Sequence, residues 1–388
     1  MAGPSGKPRL AIVLPTLNGG GAEKVVVDLA HALRKDWEIR FLLTDPGSSE
    51  DVYAPALAEA GVPVERLPVF RKFATLRKLL PLRRALVRAR PDVVLSALVA
   101  TNAVVSLALR GTGIPHVLSE HNDVADALAT RIGRPGIYKA LARLAYHAPN
   151  TRAAVAVSSH AASVVKELFA PDVPVRAIRN GLDLDLLRRA SAEPVPDDDG
   201  GDGPRVVSVG RLNRVKNVPL LMRALAHGGP MCRRAQLVLV GRGEEEARLR
   251  ALASELGIAD RVLFAGFRVN PHAWVARADV FAFCSDSEGF GCALAEAMFV
   301  NGHCVTTANQ GALEIVEDGK SGLVVPVSDG RAFAEALERM LSDEGLRARC
   351  AAAAREWALS NTLEAQAEAY DEVLREAAGL PAAEGRDG

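Results

Sequence analysis

Along the first half of the chain, short apolar runs recur with helical patterns between them: LAIVL (10–14), IRFLL (39–43), DVVLSA (92–97), HVLSE (116–120) and AAVAVS (153–158). The runs are almost continuously apolar, as strands covered on both faces of a sheet must be. Strands that take turns with helices predict a parallel sheet wrapped by helices. The series stops at 191–204, SAEPVPDDDGGDGP, where proline, glycine and acid crowd together and no apolar period survives. That composition reads as a linker. A second series follows, RVVSVG (205–210), AQLVLVG (235–241), RVLFAG (261–266), DVFAFC (279–284), HCVTT (303–307) and GLVVPV (322–327), and helical patterns close the chain from Arg331 to about Ala378.

The expected fold is therefore α/β, with two Rossmann-like doubly wound domains facing a cleft. The first spans 1–190, the linker 191–204 and the second 205–359, with a last helix at about 360–380 packing back on the first. In such sheets ligands gather at the carboxyl ends of the strands. Val93–Leu109 runs 17 residues without a charge, at the lower limit for a membrane span. Its Ser96, Thr101, Asn102 and Ser106 favour a strand followed by a helix instead. MAGPSGKPRL, at the start, lacks the apolar core and cleavage site of a secretory signal.

Composition narrows the class. A chain of 388 residues suits two domains, and 49% hydrophobic with 24% charged residues reads as soluble and globular, neither disordered nor fibrous. The net charge of zero hides an asymmetry, because residues 1–190 carry 26 basic and 17 acidic side chains and the remainder carries 21 and 30. A basic half beside an acidic one suggests that the first faces something anionic. The five cysteines (Cys232, Cys284, Cys292, Cys304, Cys350) are odd in number and contain no CxxC pair. They read as small buried thiols in a reducing, cytosolic compartment, with no disulfide framework and no zinc site.

Three glycine clusters follow strand ends. In LNGGGAEK, Gly19, Gly20 and Gly21 come directly after the first strand, and Ala22, Glu23 and Lys24 open a helix. Glycines there let backbone N–H groups approach a phosphate, helped by the partial positive charge of the helix start. The spacing is neither GxGxxG nor a Walker loop, and a tight strand-to-helix turn accounts for it equally well. In SVGRLNRVKN, Ser208–Asn217, Arg211 and Lys216 lie five apart around a turn and are spaced to converge on one pyrophosphate. A planar fork and a point charge together suit the stabilisation of a departing diphosphate.

The third cluster is SEGFGCALAEAM, Ser287–Met298. Its Gly289–Gly291 turn leads into a helix beginning near Cys292, whose first amides can also meet phosphate. Glu288 and Glu296 are eight positions apart, about 12 Å along a continuous helix. A retaining glycosidase needs its two carboxylates about 5 to 5.5 Å apart. The pair is badly placed as acid and nucleophile on one bond, and better placed to grip opposite ends of something the length of a sugar nucleotide.

The combination of NGGGAEK, VGRLNRVKN, LVGRGEEEARL, FAGF, SEGFGCALAEAM, GALEIVEDGKSGLVV and AIRNGLD resembles the retaining glycosyltransferases of family 4, which have the GT-B architecture. The motifs run from residue 18 to about 327, with the N-terminal half matched more loosely. The resemblance implies that Glu288 binds the donor sugar's hydroxyls, with the amides of Phe290, Gly291 and Cys292 close by, and that Glu296 holds the ribose. It implies that Arg211 and Lys216 bind the diphosphate, that Gly266 and Phe267 lie by the base, and that the Gly19–Gly21 loop approaches donor phosphate and acceptor as the cleft closes. Gly210, Gly241 and Gly289 complete the implied donor site, and His121, in LSEHND, matches the family's N-domain histidine at the sugar edge of the cleft. The implied donor is a UDP- or GDP-sugar, used without cofactor or metal. Two departures bear on donor identity: MFVNGHCVTT replaces the family's Gly-x-Pro passage, and NQGALE replaces its paired glycines.

Residues 66–90 hold nine Arg or Lys and no acid among Leu, Phe and Val, with Pro81 interrupting or restarting the helix. A basic amphipathic helix suits an anionic membrane surface or a lipid diphosphate, with Arg77, Lys78, Arg83 and Arg84 as contacts. The expected acceptor is a saccharide carried on a polyprenyl diphosphate, with a soluble acceptor as the alternative, and the expected location is the cytoplasmic face of a membrane, peripherally bound. A sugar-nucleotide epimerase of the same architecture is the rival enzyme, although its acid/base array is not found. A Rossmann oxidoreductase is disfavoured because GxGxxG is missing, and nucleic-acid binding because 5% aromatic residues offer few stacking platforms.

Overall fold

The computed structural model describes residues 6–45, 51–67, 74–121, 135–195 and 203–383. They form two compact units, one running to Gly181 and resuming at Leu363, the other spanning Leu182–Thr362.

The first unit is built on seven parallel strands, β1 (Arg9–Leu14), β2 (Glu38–Leu43), β3 (Val64–Arg66), β4 (Val93–Ala97), β5 (His116–Glu120), β6 (Thr151–Ala156) and β7 (Val175–Ala177), in the order β3-β2-β1-β4-β5-β6-β7. The second holds β8 (Arg205–Val209), β9 (Gln236–Val240), β10 (Val262–Gly266), β11 (Val280–Phe283), β12 (Cys304–Thr307) and β13 (Leu323–Val325), also parallel, in the order β10-β9-β8-β11-β12-β13. Both orders reverse direction once, between β1 and β4 and between β8 and β11, which is the doubly wound Rossmann pattern. All five residues of β4 are buried, so the strand has no polar face to show as alternation. The three-residue β3 and β7 form the outer edges of the first sheet and are only half-buried, which is why VER and VRA carry no apolar run.

Val93–Leu109 divides as its polar residues suggest. Leu98, at φ 75°, turns β4 into the buried helix Val99–Leu109. No helix among the described residues is long and apolar enough to cross a membrane.

The division between the units lies before the helix Leu184–Ser191, not after it as the linker at 191–204 suggested. That helix buries Leu187 and Ala190 in the second unit, where it packs on the helices His272–Val275 and Cys292–Val300. Arg188 sits 5.4 Å over the Phe299 ring, and Asn270 Nδ2 donates to the Ala190 carbonyl at 2.8 Å.

The C-terminal helix Leu363–Ala378 belongs to the first unit, where Ala367, Tyr370, Val373 and Leu374 join Leu10, Ile12 and Phe41 in one core. Within it the buried indole Nε1 of Trp37 donates to Asp371 Oδ1 at 2.6 Å, and Arg375 Nε donates to both Asp371 oxygens at 3.0 Å. Replacing Asp371 by Ala would strand a buried N–H and a nearly buried cation. The expected cost is roughly 2–4 kcal/mol, read as a lower urea midpoint of the intact chain; an unchanged midpoint would show that this anchor is unimportant.

Candidate active site

In the second sheet β8 lies beside both β9 and β11, and the chain departs from this pair in opposite directions. Loops leaving a reversal of this kind part at the carboxyl ends of the strands and open a crevice. The loop after β8 ends in a single 3₁₀ turn, Arg214–Lys216, capped by Asn213 Oδ1, which accepts the Lys216 N–H at 3.2 Å. Three hydrogen bonds tie this turn to the loop after β11. The Asp286 N–H donates to the Val215 carbonyl at 2.8 Å, Asn217 Nδ2 to Asp286 Oδ1 at 2.8 Å, and the Cys284 thiol to the Lys216 carbonyl at 3.1 Å. Burial pushes that thiol up to about 12, so it is a neutral donor.

The two loops bring Lys216 and Glu288 together, with Lys216 Nζ donating to Glu288 Oε1 at 2.5 Å. Their side chains are only 23% and 18% exposed, and the ammonium stands 5.0 Å from the Phe283 ring centroid. Partial removal from water strengthens such a pair and makes either charge costly once its partner is gone.

Glu288 is held from below. Phe290 is 2% exposed, so its ring is part of the core. Gly291, left-handed at φ 101°, then opens the helix Cys292–Val300. Gly311 passes directly beneath: a Cβ there would lie 2.6 Å from the Phe290 carbonyl oxygen and 2.9 Å from the Glu288 Cβ. Asn309 starts the short helix Gln310–Leu313 by accepting the Ala312 N–H at 2.9 Å, and its Nδ2 donates to the Ser285 carbonyl at 3.1 Å. Thr307 Oγ1 donates to the same carbonyl at 2.5 Å.

The remaining donor candidates are spread around this centre. Arg211 lines the same crevice as Lys216, Phe283 and Ser285, yet its side chain is 73% exposed with Nε 3.6 Å from Glu244 Oε2. Arg211 and Lys216 thus share the crevice while each faces its own carboxylate. Glu296, one turn into its helix and 15% exposed, has Oε2 3.9 Å from His272 Nδ1. Gly210 and Gly241 follow β8 and β9, and Gly266 ends β10 with Phe267 next to it, 45% exposed.

In the first unit, Gly20 caps the helix Gly21–Leu33. The Glu23 carboxylate folds back over Gly20 and accepts from Thr16 Oγ1 at 3.3 Å. An anion drawn to this helix start meets Glu23 there. His121 is buried, with Nε2 2.9 Å from Ser119 Oγ, and burial lowers its ring to about 4, so it is neutral. Beside it, Glu120 Oε1 accepts from Asn102 Nδ2 at 2.7 Å and from the Tyr146 hydroxyl at 2.9 Å.

The basic helix, Ala74–Ala89, is less open than its charge suggests. Lys78 pairs with Asp45, and Arg83 donates to the carbonyls of Ala108 at 2.9 Å and Arg110 at 2.7 Å. Both cations serve the unit itself, while Arg84, Leu80 and Val87 are exposed. The Arg77 side chain lies outside the described residues.

Residues 197–357 match the family model described as Glycosyl transferases group 1, and residues 19–186 match Glycosyltransferase Family 4. The chain belongs to the family 4 glycosyltransferases. An alpha-1,4-N-acetyl-D-galactosaminyltransferase of Campylobacter jejuni, named for the acceptor GalNAc-alpha-(1->4)-GalNAc-alpha-(1->3)-diNAcBac-PP-undecaprenol, is 29% identical over 349 residues, 87% of this chain and 90% of the relative. The lipopolysaccharide core biosynthesis glycosyltransferase LpsD of Rhizobium meliloti is 28% identical over 341 residues, 86% and 88% of the two chains. The HepE protein of Anabaena, crystallised in complex with UDP, superposes with a TM-score of 0.80 at 20% identity, covering 95% of this chain and 100% of that one. That likeness establishes the α/β fold as GT-B, with two Rossmann-like parallel-sheet domains.

Within this glycosyltransferase, Asn309, Thr307 and Gly311 lie in stretches that stand out in the sequence, NQGALE, MFVNGHCVTT and GALE, but none of the three is singled out there as a support of Glu288. An Asn immediately before a short helix is a capping signal that would have drawn attention to the first. Gly311→Val would drive Phe290 and Glu288 apart from below. Transfer is expected to fall about 10- to 100-fold with the circular dichroism spectrum retained, and full activity would refute the support role.

The buried Glu120 gives a second check. Burial raises its carboxyl from 4.5 to about 7, against the lowering hydrogen bonds from Tyr146 and Asn102. Its contribution to stability is full below about 4.5 and is lost as pH rises through about 7. His116 and His121, lowered by burial to about 3 and about 4, act in the opposite sense, losing theirs as pH falls. A comparison of Glu120→Gln with the parent cancels both histidines. The variant should gain relative stability between pH 4.5 and 7, by roughly 2–3 kcal/mol; parallel stability curves would contradict this.

Proposed function

We propose that this glycosyltransferase moves a sugar from a UDP- or GDP-sugar to a saccharide carried on a polyprenyl diphosphate, with retention of anomeric configuration, at the cytoplasmic face of a membrane. The observation that carries the reading is the Lys216–Glu288 ion pair at the β8/β11 reversal, beside the Gly289–Gly291 turn. A donor offers each member a new partner. Sugar hydroxyls donate to the Glu288 carboxylate, and the diphosphate takes the Lys216 ammonium and the guanidinium of the exposed Arg211.

In the reaction the acceptor hydroxyl oxygen bonds to the anomeric carbon as the bond from that carbon to the diphosphate oxygen breaks. The hydroxyl proton passes to the departing phosphate, which Lys216 and Arg211 stabilise. Glu296 holds the ribose hydroxyls, and Phe267 offers a ring face to the base. The amides of Gly291 and Cys292 meet the phosphate, so no divalent metal is required, and His121 contacts the transferred sugar. The exposed Arg84, Leu80 and Val87 of the basic helix meet the anionic surface. The Campylobacter relative's undecaprenol-linked acceptor and the Rhizobium relative's lipopolysaccharide role support a lipid-borne acceptor.

Titration calorimetry with UDP- and GDP-sugars, followed by transfer to a polyprenyl-diphosphate saccharide, tests the reading. Lys216→Ala and Glu288→Ala are each expected to lower transfer about 100-fold or more without unfolding, and EDTA to leave the parent unchanged. Near-normal turnover in either variant, an inverted anomeric centre by NMR, or full turnover of the sugar nucleotide without acceptor would overturn it.

A further inference from the structure

At the carboxyl end of β5, Ser119 Oγ lies 2.9 Å from His121 Nε2 and 2.9 Å from the Tyr370 hydroxyl, which comes from the C-terminal helix. Ser119 and Tyr370 are wholly buried, and His121 is 8% exposed. One direction of donation satisfies every hydroxyl in this chain. Burial holds the Tyr370 hydroxyl up to about 12, so it keeps its proton, and Ser119 Oγ is the acceptor within reach. Ser119 then gives its own proton to His121 Nε2, and the proton of the neutral ring resides on Nδ1. Donation the other way, from Nε2–H through Ser119 to the Tyr370 oxygen, would leave the phenolic proton without an acceptor in a dry core.

The result is an imidazole that carries its proton on Nδ1. His121 Nδ1 is buried and has no hydrogen-bond partner among the described residues. An N–H left so is costly until a ligand oxygen accepts it.

We propose that Ser119 and Tyr370 are positioning residues that lock His121 in the Nδ1–H tautomer, making that N–H the donor to an acceptor oxygen of the transferred sugar. The inference deepens the role given to His121 above and rests on it. The C-terminal helix thereby sets the protonation pattern of a side chain 249 positions earlier, through one hydroxyl from each of two residues.

The ring nitrogens of the intact chain can be read by long-range ¹H–¹⁵N correlation, with His121→Gln assigning the signal. The parent is expected to show a single Nδ1–H tautomer, and Tyr370→Phe and Ser119→Ala a mixture of both forms. Transfer to a polyprenyl-diphosphate saccharide from the sugar nucleotide that calorimetry selects should fall about tenfold in kcat in these variants with KM little changed, and Ser119→Thr, which keeps the hydroxyl, should restore both readouts. If Ser119→Ala does not fold, Tyr370→Phe, which removes one oxygen, decides. An Nε2–H tautomer in the parent, or an unchanged tautomer in Tyr370→Phe, overturns the inference. Unchanged turnover in His121→Ala would instead overturn the role of His121 at the sugar, leaving the tautomer result to stand apart from it.

Discussion

An ammonium and a carboxylate 2.5 Å apart, both mostly withdrawn from water, are what the second unit is arranged around. Neither group tolerates that depth alone, and their residues are 72 positions apart in the chain. The meeting exists because β8 and β11 are neighbours, because Asp286, Asn217 and Cys284 stitch the two following loops together, and because Gly311 leaves room beneath Glu288. Each of these is needed before charge can be concentrated at one point without a ligand. A sheet whose strand order did not reverse there would send both loops to the same side and separate the pair.

The first unit handles polarity in a different manner. Its buried side chains Ser96, Asn102, His116, Glu120 and Tyr146 are joined by hydrogen bonds within the core, where burial lowers His116 and raises Glu120, whose Oε2 has no partner among the described residues. One unit thus holds exchangeable charge near its surface, and the other holds fixed hydrogen bonds within its core. The first arrangement is suited to trading partners with an anion, the second to keeping a geometry constant.

Much of this was legible in the residues. The long central strands declare themselves because burial on both faces leaves mostly apolar positions, while β3 and β7, half-exposed at the sheet edge, do not. The linker composition marked a break in pattern, but the helix Leu184–Ser191 lies with the second unit because Leu187 and Ala190 find their burial there. Glu288 and Lys216 were recognisable from their glycine contexts, whereas their pairing was not, since a sequence shows charges and not the distances between them. The same limit holds for Lys78 and Arg83, read as contacts to an anionic surface: their hydrogen bonds to Asp45 and to two helix-end carbonyls are not visible in the sequence.

The return of the helix Leu363–Ala378 to the first unit has a consequence for biosynthesis. Residues of β1 leave the ribosome early, but the side chains that cover their core, Tyr370 and Leu374 among them, are made only after the whole second unit of 181 residues, Leu182–Thr362. At roughly 5–20 residues per second that is a wait on the order of 10–40 s. The half of the protein that is begun first is completed last, because Tyr370 and Leu374 reach its core only with the final helix.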